Sequence, residues 1–449
     1  MAGQYDQTRH HLLESRTLDE PATPEIRHRG TRWVSGLWAG VTFLVLFGAG
    51  LAIFAGLLRG KREEVDPDQY IHIAYVLHKN VVTEGLRIAY PLYHYAVALA
   101  LELSPEQGWP AARQGAVIVL ALAIAIRGWL SYRELSGSLS PAKAALACLL
   151  LAMAMALPNW WRTPADFPEQ VTSDAWWMHL PSIFRGIVNP NVWHNPTTIF
   201  AAPFAVLVFH QAFLFRQAPG LQMAFSVGAS AALCALAKPN YLLAFLPAFG
   251  LVWLAELTTS LRNGQTSFGR VVLYTVAAFA PPVGTLVGQF IYTYGSGTRL
   301  VFAPFALWSV FADPPPADVL YHIRPSVLLV RIPASVLLGL AFPCAVAICY
   351  RRQVRSDWRT LLAWLVMAVA IVGYAALAEM PANRFLSGNF FWGVVPACYI
   401  LFQESCRLLG EQRTGNRRAF CFTVLGLHAA AGVVCVARAL MDPHNATLY

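Results

Sequence analysis

WVSGLWAGVTFLVLFGAGLAIFAGLL, residues 33–58, runs for 26 positions without one charged side chain. A stretch of about 20 apolar helical residues spans the roughly 30 Å hydrocarbon layer of a bilayer, so this run reads as a transmembrane helix. It is too long for the apolar region of a cleaved signal sequence and follows a polar tail, which makes it a retained helix. Similar runs recur along nearly the whole chain, which is 57% hydrophobic and only 13% charged. A soluble protein carries about 25% charged residues, and no soluble core absorbs so much apolar surface. The runs are continuous and lack a two-residue alternation, so they form helices and not the strands of a barrel.

The reading predicts an all-α polytopic membrane protein with about eleven transmembrane helices and juxtamembrane helices in long external loops. The expected spans are 33–58, 113–131, 142–157, 196–214, 222–237, 240–257, 271–290, 327–350, 360–378, 390–406 and 420–439. Residues 1–32 form a cytoplasmic tail expected to be disordered, 33–439 a single membrane domain, and 440–449 an external C-terminal tail. The links 132–143, 215–221, 258–270, 351–359 and 407–419 hold thirteen basic and three acidic residues. The connections 158–195, 238–239, 291–326 and 379–389 hold six of each. The positive-inside rule then puts the N-terminus in the cytoplasm and the long loops, including 59–112, outside. Residues 88–104, IAYPLYHYAVALALELS, are apolar enough to cross, but a crossing there would turn Arg351, Arg352, Arg355 and Arg359 outward. The segment is therefore assigned to the outer interface or a shallow re-entrant position.

The net charge of +9 is dispersed over short links, so topology explains it better than a nucleic-acid partner does. All eight cysteines lie in apolar runs or at their ends, without a CxxC spacing, and read as small packing residues.

The external loops carry the unusual chemistry. Asp66-Pro67-Asp68-Gln69-Tyr70 follows the first span, with His72, Tyr75 and His78 at the spacing of a short surface helix. Two carboxylates there suit a general base or a divalent cation such as Mg or Mn, and equally suit an N-cap. In the loop 158–195, Asp166, Asp174, Trp176, Trp177, Trp193, His194 and Asn195 combine aromatic planes with polar groups, as a sugar site requires. An interfacial aromatic belt is the plainer alternative for any one tryptophan. Lys238 sits in the tight turn before Pro239. Arg384, Arg324 and His322 stand in other external segments, and all four suit a lipid-linked phosphate. A lysine at such a turn also snorkels without a ligand. Asn445-Ala446-Thr447 fits an N-glycosylation acceptor. No Walker loop, GxSxG elbow or HExxH pair occurs, and the spans hold no chain of acids of the kind proton-coupled transporters use.

These motifs together resemble the GT-C superfamily of membrane glycosyltransferases, which includes protein O-mannosyltransferases and the aminoarabinose transferase acting on lipid A. Asp66 to Tyr70 is similar to that family's first-loop acidic motif. Tyr90-Pro91-Leu92-Tyr93-His94 is similar to the segment opening its second juxtamembrane helix, and Ala235-Leu236-Ala237-Lys238-Pro239 to its helical hairpin. Glu379 to Arg384, followed by Phe391 to Pro396, resembles its late acidic and arginine turn. Gln69 stands where many relatives carry Glu, and Pro239 follows the lysine directly. The resemblance implies transfer of a sugar from a polyprenyl-phosphate carrier to a glycan, lipid or protein acceptor outside a bacterial inner membrane. Asp68 is then the base, with Asp66 beside it, and Lys238 and Arg384 contact the donor phosphate with Arg324 and His322. Tyr70, His72, Tyr93 and His94 join the aromatic loop residues around the substrate. The competing functions are a transporter or flippase of a lipid-linked glycan and a glycan polymerase or ligase of another membrane fold.

Overall fold

The computed structural model describes residues 25–59, 67–77, 89–157, 188–193, 195–264, 267–294, 299–304, 332–380 and 389–441. In chain order its helices are α1 Glu25–Leu57, α2 Pro67–Leu77, α3 Leu92–Glu102, α4 Trp109–Leu135, α5 Pro141–Met153, α6 Pro196–Gln217, α7 Leu221–Ala237, α8 Asn240–Arg262 and α9 Phe268–Tyr294. After strand β1, Arg299–Phe302, come α10 Ile332–Gly339, α11 Ala341–Cys349, α12 Arg351–Ser356 and α13 Trp358–Ala376. Strand β2, Leu377–Met380, a 3-10 turn at Asn389–Gly393, α14 Val394–Gly410 and α15 Asn416–Met441 complete the described chain.

Seven helices, α1, α4, α6, α8, α9, α13 and α15, are long and apolar enough to cross a membrane, and α5 and α7 are shorter apolar helices. The chain is a multi-pass integral membrane protein. Seven of the eleven expected spans fall on these long helices, 142–157 and 222–237 fall on the shorter α5 and α7, 390–406 falls on the 3-10 turn and α14, and the described part of 327–350 is broken into α10 and α11 at Leu340. Pro343 supplies the cause, since its ring nitrogen cannot donate to the carbonyl four residues back and its ring crowds that carbonyl. α1 begins at Glu25, eight residues ahead of the expected boundary. The segment 88–104 contains only the 11 residues of α3, about 16 Å of helix at 1.5 Å per residue, or half of a bilayer core. α2 has the same length.

α4 lies near the bundle centre and is mostly buried, whereas α9 is peripheral and mostly exposed. Without a hydrophobic drive between helices in lipid, close backbone approach through small residues holds such a bundle. A Cβ on Gly50 of α1 would stand 2.9 Å from the Cα of Ala121 on α4. One on Gly228 of α7 would stand 2.3 Å from the Ala277 carbonyl oxygen of α9. The eight cysteines are all free thiols, six of them buried, as packing residues should be.

An all-α expectation misses one feature. β1 and β2 pair antiparallel, Arg299 opposite Met380 and Phe302 opposite Leu377, and the Ala303 amide donates to the Ala376 carbonyl at 2.8 Å. The pairing fastens the segment after α9 to the exit of α13.

At the other end of α4, charged residues join four helices. The Arg359 Nη2 of α13 donates to Glu134 Oε2 of α4 at 2.6 Å and to Glu404 Oε1 of α14 at 2.7 Å. Arg407 Nε donates to the second oxygen of Glu404 at 2.7 Å, its Nη1 to Glu411 at 2.6 Å, and its Nη2 to Asp357. His210 Nδ1 of α6 lies 2.6 Å from Glu134 Oε1. Arg216 pairs with Glu256 of α8 and stacks 4.2 Å over Trp358. Arg359, Arg407 and Arg216 all enter the charge count that suggests a cytoplasmic side, while Glu404 and Glu256 stand inside helices and escape it. Part of that apparent positive bias is therefore neutralised in place.

Candidate functional site

The opposite end of α4 gathers polar and aromatic side chains around Lys238. It is built from the end of α1, α2, α3, the start of α4, residues 188–193, the α7–α8 turn, β2 and the 3-10 turn.

The segment before α6 is fixed by its asparagines. Asn191 Nδ2 donates to the carbonyls of Leu151 and Ala154, both at 2.7 Å, and Asn189 Oδ1 accepts from the Ala156 amide at 2.5 Å. These bonds satisfy backbone groups that α5 leaves open at its C-terminus. The Met155 amide donates to the His428 carbonyl at 2.9 Å, which ties the segment after α5 to α15. Trp193 is 2% exposed and packs on Phe54 of α1 at 6.0 Å between ring centroids, and its carbonyl accepts from Gln69 Nε2 at 3.4 Å. α2 is thereby docked on the segment that leads into α6.

Asn195 is the N-cap of α6, ahead of Pro196 at the first helical position, where a missing N–H is harmless. Its Oδ1 accepts from the Thr198 amide at 2.9 Å, from Thr197 Oγ1 at 3.0 Å and from Lys238 Nζ at 2.8 Å. Lys238 Nζ also reaches Thr197 Oγ1 at 2.9 Å. The lysine ends α7 and is only 3% exposed, so it points into the protein and does not snorkel. Its ammonium lies 5.0 Å from the centre of the Trp392 ring and 5.6 Å from that of Tyr90, the geometry of cation–π contact. Trp392 is brought there by the 3-10 turn, where a Cβ on Gly393 would meet the Asn240 carbonyl oxygen at 2.6 Å. Only glycine permits that approach.

His72 of α2 and His94 of α3 face each other beside this lysine, with Nδ1 of the first 3.0 Å from Nε2 of the second. Tyr93 stands edge-on to His72 at 6.2 Å and packs on Phe200 of α6 at 5.7 Å. Tyr75 lies 6.0 Å from His72 and 5.9 Å from His94. Burial drives the His72 pKa well below the ordinary value, and the His94 and Lys238 charges add to the effect. Burial likewise lowers His94 to about 4, against an opposing hydrogen bond to the Tyr90 backbone and with help from Lys238. Both rings are therefore neutral at pH 7, and a neutral pair passes one N–H between two nitrogens.

Of the residues expected at a site, Tyr70, His72, Tyr93, His94, Trp193, Asn195 and Lys238 come together at this end. Tyr70 packs on Trp109 at the mouth of α4, 5.5 Å between centroids. Asp68 is the second residue of α2, one helical turn before His72. Asp66, Asp166, Asp174, Trp176, Trp177, His194, His322, Arg324 and Arg384 lie outside the described residues. So does Asn445. Among the described residues no group of three metal-ligating side chains occurs. Thr197 is an addition, and Tyr90 and Trp392, present in the sequence reading only as members of the segments Tyr90–His94 and Phe391–Pro396, gain a place at the lysine. A further signal for Trp392 is the aromatic run Phe390-Phe391-Trp392 directly after the external segment 379–389. Glu379, 6% exposed in β2 opposite Leu300, is a further buried carboxylate of this end.

No protein-family model matches the chain, and no curated protein matches it. Among solved structures, the chain is similar to the crystal structure of ArnT from Cupriavidus metallidurans bound to undecaprenyl phosphate. The sequences are 14% identical over 93% of this chain and 77% of that one, with a TM-score of 0.45. At that score the chemistry of this chain stands on its own residues.

Proposed function

We propose that this protein is a glycosyltransferase that moves a sugar from a polyprenyl-phosphate carrier to a hydroxyl acceptor at the membrane surface where Lys238 lies, on the external side. The observation that supports this best is the buried Lys238 ammonium, held by Asn195 and Thr197 against two aromatic rings and near enough to His72 and His94 for its charge to act on both. A fixed cation at the depth where helices end suits a lipid phosphate, and aromatic and imidazole planes suit a sugar.

In the reaction, the acceptor O–H loses its proton to the Asp68 carboxylate as its oxygen forms a bond to the anomeric carbon. The bond from that carbon to the phosphate oxygen breaks, and the electron pair leaves with the polyprenyl phosphate. Negative charge grows on that oxygen, and a preorganised cation lowers the barrier there more than in the ground state. Lys238 fills this role, with Arg384 as its partner on the same phosphate. Asp66 and Asp68 are also the residues that would hold a divalent cation, whose contribution would be further positive charge at the phosphate. His72 and His94 orient the sugar hydroxyls as neutral donors and acceptors.

The test is release of polyprenyl phosphate from short polyprenyl-phosphate sugars by the purified protein. Asp68→Asn is expected to lower turnover by about 10²-fold or more, the usual contribution of a positioned base. Turnover unchanged in Asp68→Asn would remove the base assignment, and no turnover by the wild type with any such donor would remove the reading as a whole.

A further inference from the structure

A second basic feature lies at the same end of the bundle, on the outer seam between α1 and α4. Ala55, Arg59, Arg113, Gln114, Val117 and Ile118 line a cavity of about 300 Å³. None of these residues belongs to the cluster around Lys238. Arg59 stands two positions beyond the end of α1, and Arg113 is the fifth residue of α4, so both guanidinium groups sit where the two helices meet the membrane boundary. The Arg113 Nη1 donates to the Leu58 carbonyl at 3.5 Å, which holds it against the end of α1. Gln114 is steadied at the rim by its bond to Glu106 Oε2 at 3.1 Å. The deeper walls are apolar. Ala55 lies four residues before Arg59, and Val117 and Ile118 four and five after Arg113, so both helices carry the cavity about 6 Å further into the hydrocarbon. Ala55 is exposed and Ile118 is 43% exposed, and the cavity therefore opens sideways to lipid.

We propose that this cavity binds the phosphate of an anionic glycerophospholipid, with its headgroup between Arg59 and Arg113 and the first part of an acyl chain along Ala55, Val117 and Ile118. Charge selects the ligand, because two cations at the boundary favour a phosphodiester without a compensating amine. The apolar floor selects a lipid over a free anion. The site goes beyond the transferase reading and does not depend on it. Its place on the α1–α4 seam makes the lipid a clamp between the first two long helices.

The full-length protein, reconstituted with phosphatidylglycerol or with phosphatidylcholine and then released into detergent, tests this by native mass spectrometry. One phosphatidylglycerol is expected to stay on the wild type and phosphatidylcholine to be lost. Arg59→Gln with Arg113→Gln should weaken retention by roughly 30-fold, since each cation near a charged lipid surface contributes about fivefold. Val117→Trp leaves both charges and fills the floor, and should release the lipid while the protein stays monodisperse in size-exclusion chromatography. Arg59→Lys with Arg113→Lys should keep most of the binding. Equal retention of the two lipids, or phosphatidylglycerol unaffected by Val117→Trp and by the double glutamine variant, would overturn the proposal. Displacement of the bound lipid by millimolar inorganic phosphate would overturn it as well, by showing an anion site without a lipid component.

Discussion

The two ends of α4 handle positive charge in different ways. At the end carrying Glu134, Arg359 and Arg407 are buried among carboxylates from three helices, with each guanidinium bonded to at least two of them. At the end carrying Trp109, Lys238 is held by an amide oxygen, a hydroxyl and two rings. Removing a cation from the first arrangement strands buried anions. Removing it from the second leaves an Asn195 oxygen that still accepts from Thr197 and Thr198, so the cap of α6 keeps its own bonds. The first end is an interlocked ion-pair network, and the second has the looser frame that the proposed donor site requires.

The largest effect on stability should therefore come from Arg359→Met. With Glu134 and Glu404 left buried without their shared guanidinium, unfolding in detergent should become easier by about 3–5 kcal/mol. A melting temperature equal to that of the wild type would erase the contrast between the ends. Lys238→Met should reverse the pattern, with little change in melting but polyprenyl-phosphate release lowered by about 10²–10³-fold, the effect of losing one preorganised group on a developing charge. If this variant unfolds instead, the lysine belongs with the structural ion pairs.

Asn195→Ala removes a helix cap and a lysine anchor together and should cost about 1–2 kcal/mol, with a larger loss of turnover than of stability. Calorimetry and the release assay on one preparation separate the two. The histidine corner gives the smallest effect, and it depends on pH. The folded pKa of His94, about 4, lies below the unfolded value near 6.5, so the unfolded chain binds more protons between them. The stabilising contribution is complete above about pH 6.5 and falls away as the pH drops toward 4, and lowered His72 acts in the same direction. His94→Gln should flatten that part of a melting-versus-pH curve, and an unaltered slope would reject the buried neutral pair.

The spans were readable because each is a long apolar run, and hydrocarbon demands that pattern whatever the packing inside. α3 could be kept out of the membrane count by charge bookkeeping alone, and its 11 residues agree. The strands Arg299–Phe302 and Leu377–Met380 could not be read, since four residues without alternation, 75 positions or more apart, carry no local signal. Arg359 and Arg407 looked like free loop charges because Glu134 lies 225 positions from Arg359, and Glu404, only three from Arg407, stands within an apolar run. At the site, Lys238 and the pair His72 and His94 stood out as polar residues in apolar surroundings. Thr197 and Trp392 did not, because their part is set by the turn at Gly393 and the cap at Asn195, which only the folded chain brings together.

The shortness of α2 and α3 has a consequence for how such a site is supplied. On the proposed reading, α2 and α3, at 11 residues each, reach across only half of a bilayer core, and a tailed donor would come to the Lys238 cluster by sliding within the leaflet. Its effective concentration is a mole fraction in the membrane, not a molarity in the surrounding water. Adding inert lipid at fixed amounts of protein and donor should therefore slow the protein, whereas changing the aqueous volume should leave its rate alone.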